Sequence, residues 1–128
     1  MKILLADERK EVRAALHFAL KYRHNDWNII ETDGANPLEQ QIADNAPDLL
    51  ILGLNVPVSS ASIQAPIQLI WQPWFGSLHR ACPTLKIMAM VNSPEWIFPA
   101  IEAGSDAAIC KADPIETVEN AIQQLFNR

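Results

Sequence analysis

Five short segments, most of them mainly apolar, are predicted as strands near residues 2–6, 27–32, 48–53, 85–90 and 106–110. A short apolar run bounded by turn residues is typical of a strand that is buried on both faces. Between the first two runs, over 9–23, apolar residues return at helical spacing and predict one stripe facing a sheet: Val12, Ala15, Leu16, Ala19 and Leu20. This alternation of strand and helix predicts an α/β fold with a parallel sheet and helices on both faces.

The second and fifth helices carry signals of different strength. The second, predicted over about 36–45, is short and has little pattern. The fifth has a good start signal, because Asp113 suits the N-cap, Pro114 the first helical position, and Glu116 the third residue after the cap. Its predicted buried stripe consists of Ile115, Val118, Ile122, Leu125 and Phe126.

Proline disturbs the pattern of the third helix. Pro66 suits a helix start, whereas Pro73 is expected to break a helix interior. A regular third helix is therefore not expected between the third and fourth strands. The same region contains Trp71, Trp74 and Phe75. These aromatic residues either form extra core under a longer loop or present a partner-binding patch, since exposed aromatic residues concentrate at interfaces.

The fourth helix is predicted to start at Ser93–Pro94 and to end at Gly104, with Pro99 in its middle. A proline there removes a backbone hydrogen bond, so a kinked or shortened helix is expected. If Ile97 and Ile101 face the sheet, Trp96 and Glu95 face outward. Trp96 then either contacts a partner or lies flat over its own helix.

The bulk composition fits a single domain over residues 1–128, with 49% hydrophobic residues and a net charge of −5. The acidic balance and the lack of a basic run argue against nucleic-acid binding by this domain. No leader pattern or membrane-length apolar run is found, which predicts a cytoplasmic protein without a membrane partner. Cys82 and Cys110 lack metal-ligand spacing and are interpreted as reduced structural thiols.

Residues that could form a functional site stand where three of the predicted strands end. Asp7 and Glu8 follow the first strand, Gly53 ends the third, and Lys111 follows the fifth. In this order and spacing, the chain resembles the receiver domain of bacterial two-component response regulators over nearly its whole length. The resemblance implies a doubly wound, five-stranded parallel sheet in a flavodoxin-like three-layer sandwich.

The resemblance also assigns roles to positions. In receivers the acidic pair, here Asp7 and Glu8, holds Mg²⁺, and the lysine, here Lys111, contacts the phosphoryl group. The aspartate that accepts this group maps to Gly53. Two further positions are changed, because the Ser or Thr of strand four maps to Ala89 and the switch aromatic of strand five maps to Ala108. Three of five signature positions therefore differ, which favours a natural pseudo-receiver over a single engineered change.

The remaining charged residues allow two interpretations. The resemblance implies metal ligands at Asp7, Glu8 and the backbone carbonyl of Asn55, but without a carboxylate at position 53 Mg²⁺ is expected to bind weakly at best. Alternatively, the carboxylates and Lys111 neutralise each other as a buried cluster, with Lys111 swung across to Asp7 or Glu8. No other cofactor is expected.

Acyl-phosphate chemistry needs a carboxylate nucleophile, and Gly53 offers none. Asp48 should lie at the opposite end of the third strand and cannot substitute for it. His17, His24 and His79 are scattered and are interpreted as surface or helix-face residues. The chain is therefore predicted not to be an enzyme.

The predicted function is that of a phosphorylation-independent protein-interaction module in two-component (phosphorelay) signal transduction. The resemblance implies a partner at the face made by helix four, strand five and helix five: a second copy, an output domain or a pathway protein. One alternative is an ordinary phospho-accepting receiver whose aspartate was replaced at position 53. The other is a small-ligand or anion sensor in the vacated cleft, lined by Lys111 and strand-end amides.

Overall fold

The five apolar segments pair side by side in one parallel sheet. The computed structural model describes residues 1–34, 37–54 and 67–126. The strands are β1 (Lys2–Ala6), β2 (Asn28–Thr32), β3 (Leu49–Gly53), β4 (Lys86–Val91) and β5 (Ala107–Cys110). Their order across the sheet is β2-β1-β3-β4-β5. The predicted doubly wound fold is confirmed, and all strands end at one edge because all are parallel.

Helices cover both faces of this sheet. They are α1 (Lys10–Arg23), α2 (Leu38–Asn45), α3 (Ile67–Ala81), α4 (Ile97–Glu102) and α5 (Ile115–Phe126), and a short 3₁₀ turn, Pro94–Trp96, precedes α4. Successive strand side chains point to opposite faces, so Leu50 packs in the layer with α2, α3 and α4, while Ile51 packs in the layer with α1 and α5. No helix in the described part of the chain is long and apolar enough to cross a membrane.

The helix α3 continues through Pro73, so the prediction of a break there was wrong. Pro73 is exposed, and its ring and missing N–H lie on the solvent side. Trp71 and Phe75 flank it and are 4% and 0% exposed in the core. Burial of these two large rings offsets the loss of one helical hydrogen bond. Their interpretation as core residues is confirmed, and Trp74 is half-buried beside them.

The start of α4 departs from the sequence-based expectation in its orientation. The shortened helix is confirmed, with Pro99 in its first turn, where a backbone N–H has no partner within the helix. Trp96, however, is only 8% exposed, whereas Phe98 and Ile101 are 68% and 43% exposed. The prediction that Trp96 faces outward and Ile101 faces the sheet was therefore wrong. The 3₁₀ turn has three residues per turn and rotates the side chains relative to a continuous α-helix.

Two residues of the predicted apolar stripes lie outside the core. Ala15 of α1 is exposed, and Phe126 in the last turn of α5 is 38% exposed. Leu20 of α1 and Val118 and Ile122 of α5 are buried as predicted. Periodicity identified the correct face of each helix, but it does not show where along a helix the sheet ends.

Candidate functional site at the carboxyl edge of the sheet

The carboxyl edge of the sheet brings together Asp7, Gly53 and Lys111, three of the positions singled out from the sequence. Asp7 follows β1, Gly53 ends β3, and Lys111 follows β5. Lys111 Nζ lies 3.5 Å from Asp7 Oδ2, and the two side chains are 9% and 0% exposed. The predicted swing of Lys111 towards Asp7 is confirmed.

Asp7 is held on one side by local contacts. Its Oδ1 accepts a hydrogen bond of 2.8 Å from the backbone N–H of Arg9, and Arg9 Nε lies 3.6 Å away. The Arg13 guanidinium donates to the backbone carbonyl of Asp7 at 2.8 Å. Asp7 Oδ2, by contrast, accepts no hydrogen bond from the described residues, and the Lys111 ammonium lies 3.5 Å from it. A buried carboxylate is thus neutralised mainly by ion pairing.

The Lys111 ammonium responds to the same environment. Burial lowers the pKa of Lys111 below its ordinary value, and the Asp7 carboxylate opposes this shift. The positive charge of Arg9 adds to the lowering, and Glu8 opposes it. Each charge of the pair stabilises the other, because neither charge is well solvated by itself.

Gly53 leaves a space that the Asp7 side chain fills. A Cβ placed on Gly53 would lie 2.0 Å from Asp7 Oδ2 and 2.6 Å from Asp7 Cγ, closer than side-chain atoms approach. Any side chain at position 53 would have to displace the Asp7 carboxylate. Position 53 thus offers no carboxylate, and the space for a side chain there is already occupied.

Ala89 and Ala108 are directly paired on β4 and β5. Ala89 is buried and Ala108 half-buried, and neither supplies a hydroxyl or a ring. The same core layer instead receives aromatic rings from α3 and from the turn before α4. Trp71 and Trp96 meet edge-on, with ring centroids 6.3 Å apart. Sequence reasoning missed this contact, because the two tryptophans are distant in sequence and only the 3₁₀ turn brings Trp96 inward.

The described residues favour the ion pair over a metal site. Glu8 is exposed beside the buried Asp7, and Asn55 lies outside the described residues. Within those residues, no group of three His, Cys, Asp or Glu side chains has metal-binding geometry. An ammonium 3.5 Å from Asp7 Oδ2 also competes with a divalent cation for that oxygen. Weak Mg²⁺ binding therefore stays a prediction.

Other titratable residues lie away from this edge. His17, His24 and His79 each contact a surface carboxylate, of Glu31, Glu119 and Asp106 respectively. Asp48 accepts a hydrogen bond of 2.8 Å from the backbone of Lys2 at the amino edge of the sheet, as expected. Cys82 and Cys110 are free thiols, and burial raises the pKa of Cys110, with the Asp113 carboxylate adding to the effect. Asp113 itself accepts from the Cys110 N–H, so its carboxylate ties α5 back to β5.

Two cavities flank the ion pair. One, of about 300 Å³, lies beside Gly53 and includes Asp7, Trp71 and Trp74 in its lining. The other, of about 380 Å³, lies between α1 and α5 and is mostly apolar. Lys111 lines the second cavity and is absent from the described lining of the first.

No protein-family model matches the chain. In sequence it is similar to the oxygen regulatory protein NreC of Staphylococcus epidermidis, with 26% identity over 130 residues, covering 98% of this chain and 55% of that protein. NreC of Staphylococcus aureus matches equally, also with 26% identity and 55% coverage. The chain thus spans about half the length of these curated relatives.

Solved structures agree on the fold. A DNA-binding response regulator of the LuxR family from Staphylococcus aureus superposes with a TM-score of 0.73 at 19% identity, covering 98% of both chains. A two-component response regulator from Clostridium difficile gives a TM-score of 0.72 at 18% identity, covering 100% of this chain and 97% of that chain. The chain therefore has the fold seen in these response regulators.

Proposed function

We propose that this chain is a degenerate receiver domain that acts in two-component signal transduction as a phosphorylation-independent protein-interaction module. The observation that carries the proposal is the filled space at Gly53. The Asp7 carboxylate lies where a side chain at this position would begin, and Lys111 neutralises it at 3.5 Å.

The chemistry of phosphoryl acceptance supports this proposal. A mixed anhydride forms only when a carboxylate attacks phosphorus. Position 53 has no carboxylate, and Asp7 is buried in an ion pair with no side-chain exposure. The domain is therefore proposed to be non-enzymatic and to bind no cofactor beyond weak Mg²⁺.

The aromatic contact supports a single signalling state. Ala89 and Ala108 cannot provide the hydroxyl and the ring through which receivers respond. Trp96 is instead wedged against Trp71 in the core, which fixes the chain just before α4 to α3. Because α4 is one part of the expected partner face, we infer that this face is held in a single conformation.

The exposed surface of α4 suggests where a protein partner binds. Phe98 and Ile101 are exposed on this short helix, and Glu95 lies exposed just before it. Exposed apolar side chains with a polar rim are typical of interaction sites. We therefore propose that Phe98 and Ile101, and not Trp96, form the centre of the interface, with Glu95 at its rim.

The partner is proposed to be a second copy, an output domain or a pathway protein. One structural neighbour is described as DNA-binding. If a longer protein that contains this domain binds DNA, we propose that another segment does so, because this chain carries a net charge of −5. We further propose that the domain works in the cytoplasm, without a membrane partner.

Intact mass spectrometry after incubation with acetyl phosphate and Mg²⁺ tests the proposal. The natural chain is expected to gain no phosphoryl group, an addition of about 80 Da on a side chain. A Gly53→Asp variant is expected to stay unlabelled as well, because the new Cβ displaces Asp7 and position 89 has no hydroxyl. Labelling of the natural chain would overturn the proposal. Labelling of the variant alone would favour the alternative that position 53 once held aspartate in a working site.

A further inference from the structure

Exposed apolar side chains are concentrated at two places on the described surface. Six large apolar side chains are exposed among the described residues, and four of them form two pairs. One pair is Phe98 and Ile101 on α4. The other is Phe18 and Tyr22 on α1, which are 73% and 81% exposed. Apolar residues scattered singly over a surface are ordinary, whereas grouped ones mark surfaces that bind a partner.

The pair on α1 forms an aromatic platform. Phe18 and Tyr22 lie one helical turn apart, and their rings stack with centroids 6.3 Å apart and planes 19° from parallel. The exposed Lys21 lies beside both rings on the same helix. Phe18, Lys21 and Tyr22 are called the α1 patch. Because the two rings already pack on each other, less side-chain entropy is lost when a partner covers them.

The exposed surface of α4 has the opposite charge. Phe98 and Ile101 are flanked by Glu95 in the preceding turn and by Glu102 at the end of the helix, both exposed. These four residues are called the α4 patch. Its turn and helix contain no Lys, Arg or His. Helix α1, in contrast, contains four Lys or Arg residues and one Glu, in a chain whose net charge is −5. The two patches are therefore complementary in charge, and both are apolar at their centres.

The sheet separates the two patches. Helix α1 packs in the layer with α5 on one face, and α4 packs in the layer with α2 and α3 on the other face. The two patches of one copy therefore cannot meet, and two copies cannot form both α1-to-α4 contacts at once. A symmetric contact between two α4 patches would bring the carboxylates of Glu95 and Glu102 against each other, which like-charge repulsion disfavours. A contact between an α4 patch and the α1 patch of another copy joins opposite charges instead.

We propose that this chain associates head to tail, with the α4 patch of one copy bound to the α1 patch of the next. The inference rests on the proposed function and identifies the partner at the α4 surface as a second copy. Phe98 and Ile101 pack on the aromatic platform, and Lys21 lies opposite the carboxylates at the rim of the α4 patch. Each pair of copies keeps one unused patch at either end, so association continues beyond two copies.

Sedimentation equilibrium of two variants and of their mixture tests the proposal. The average mass of the natural chain is expected to rise with concentration past that of two copies. Phe98→Ser and Phe18→Ser should each weaken self-association by about tenfold, because each removes one of the two complementary surfaces. An equimolar mixture should form one-to-one dimers that do not extend, since Phe98→Ser retains the α1 patch and Phe18→Ser retains the α4 patch. Phe126→Ser is the control, because Phe126 is 38% exposed on α5, outside both patches.

A charge exchange tests the orientation of the contact separately. Lys21→Glu and Glu102→Lys each place like charges across the proposed contact, and each should weaken association. The chain that carries both substitutions has opposite charges across the contact again and should recover most of the loss. The weakening and the recovery should both shrink as the salt concentration rises, because salt screens exposed charges.

Three results would overturn the proposal. The first is a natural chain that stays monomeric up to about 1 mM, where even a weak contact is populated. The second is self-association of Phe18→Ser equal to that of the natural chain, which would indicate a symmetric α4 contact. The third is a mixture of Phe98→Ser and Phe18→Ser that is no heavier than either variant alone. None of these results alters the outcome with acetyl phosphate, so this proposal and the proposed function fail separately.

Discussion

The ion pair of Asp7 with Lys111 and the aromatic contact of Trp71 with Trp96 fix two neighbouring regions of one sheet edge by different means. The ion pair uses residues to which the receiver resemblance assigns roles, and it lies beside Gly53. The aromatic contact uses residues for which the resemblance gives no role, in the core layer that contains Ala89 and Ala108. The first region is fixed by charge compensation and the second by packing.

The difference shows what each kind of contact requires. Beside Gly53, where a Cβ would meet the Asp7 carboxylate, Asp7 and Lys111 lie close enough to neutralise each other. Beside Ala89 and Ala108, which are paired on adjacent strands, large side chains from α3 and from the turn before α4 complete the layer. Charge compensation acts over one contact, whereas packing depends on several elements at once.

The largest effect is expected from Trp96→Ala, which tests the aromatic region. Removal of a buried tryptophan leaves a cavity and should lower the free energy of unfolding by about 4 kcal/mol. Urea unfolding followed by circular dichroism measures this loss. Phe98→Ala is the control, because Phe98 is 68% exposed on the same short helix and should lose little. Equal losses in the two variants would mean that Trp96 is not a core residue.

A somewhat smaller effect is expected from Lys111→Met, which tests the charged region. The variant leaves the Asp7 carboxylate buried beside Arg9 alone, and the free energy of unfolding should fall by about 3 kcal/mol. Since a buried pair and an apolar replacement are often equally stable, Asp7→Asn combined with Lys111→Met should recover most of this loss. No recovery in the double variant would contradict mutual neutralisation.

The contribution of Lys111 to stability is expected to depend on pH. Burial lowers the folded-state pKa of Lys111 below its ordinary value of 10.5, so the unfolded chain binds more protons in the alkaline window below 10.5. Stability contributed by Lys111 therefore increases as pH rises through this window, relative to its value at neutral pH. Urea midpoints of the natural chain and of Lys111→Met, compared from pH 8 to about 10.5, should diverge in favour of the natural chain.

Gly53→Ala tests how tightly the Asp7 carboxylate packs against position 53. The added methyl group would lie 2.0 Å from Asp7 Oδ2, so the carboxylate must move away from Lys111. Overpacking of this kind should lower the free energy of unfolding by about 2 kcal/mol. The loss should shrink in an Asp7→Ala background, where the space is empty. If Gly53→Ala lowers the free energy of unfolding just as much in that background, the cause lies in the backbone of β3 and not in the contact with Asp7.

The smallest effect on stability, and the largest on association, is expected from Phe98→Ser. An exposed side chain should change the free energy of unfolding by less than about 0.5 kcal/mol. If a second copy binds this face, sedimentation equilibrium should show weaker self-association. Phe126→Ser is the matched control, because Phe126 is 38% exposed on α5, outside α4. Weakening by Phe126→Ser alone would move the interface to α5.

Much of the fold follows from local patterns that sequence can carry. The predicted segments placed every strand within two residues, and the signal was clearest for β3, because a strand buried on both faces is apolar along its length. The positions of Asp7, Gly53 and Lys111 followed from the rule that parallel strands end at one edge. The orientation of Trp96 did not follow, because one 3₁₀ turn shifted the periodicity on which the prediction relied.

The sequence by itself determined the order of strands and helices along the chain and the residue types at the carboxyl edge of the sheet, including the lack of a carboxylate at Gly53. These depend on residue type and on local periodicity, which are written along the chain. Only the tertiary structure decided that Asp7 fills the space beside Gly53 and pairs with Lys111, and that α3 continues through Pro73. Each of these depends on which distant side chains compete for one volume, and a single chain pattern does not encode that competition.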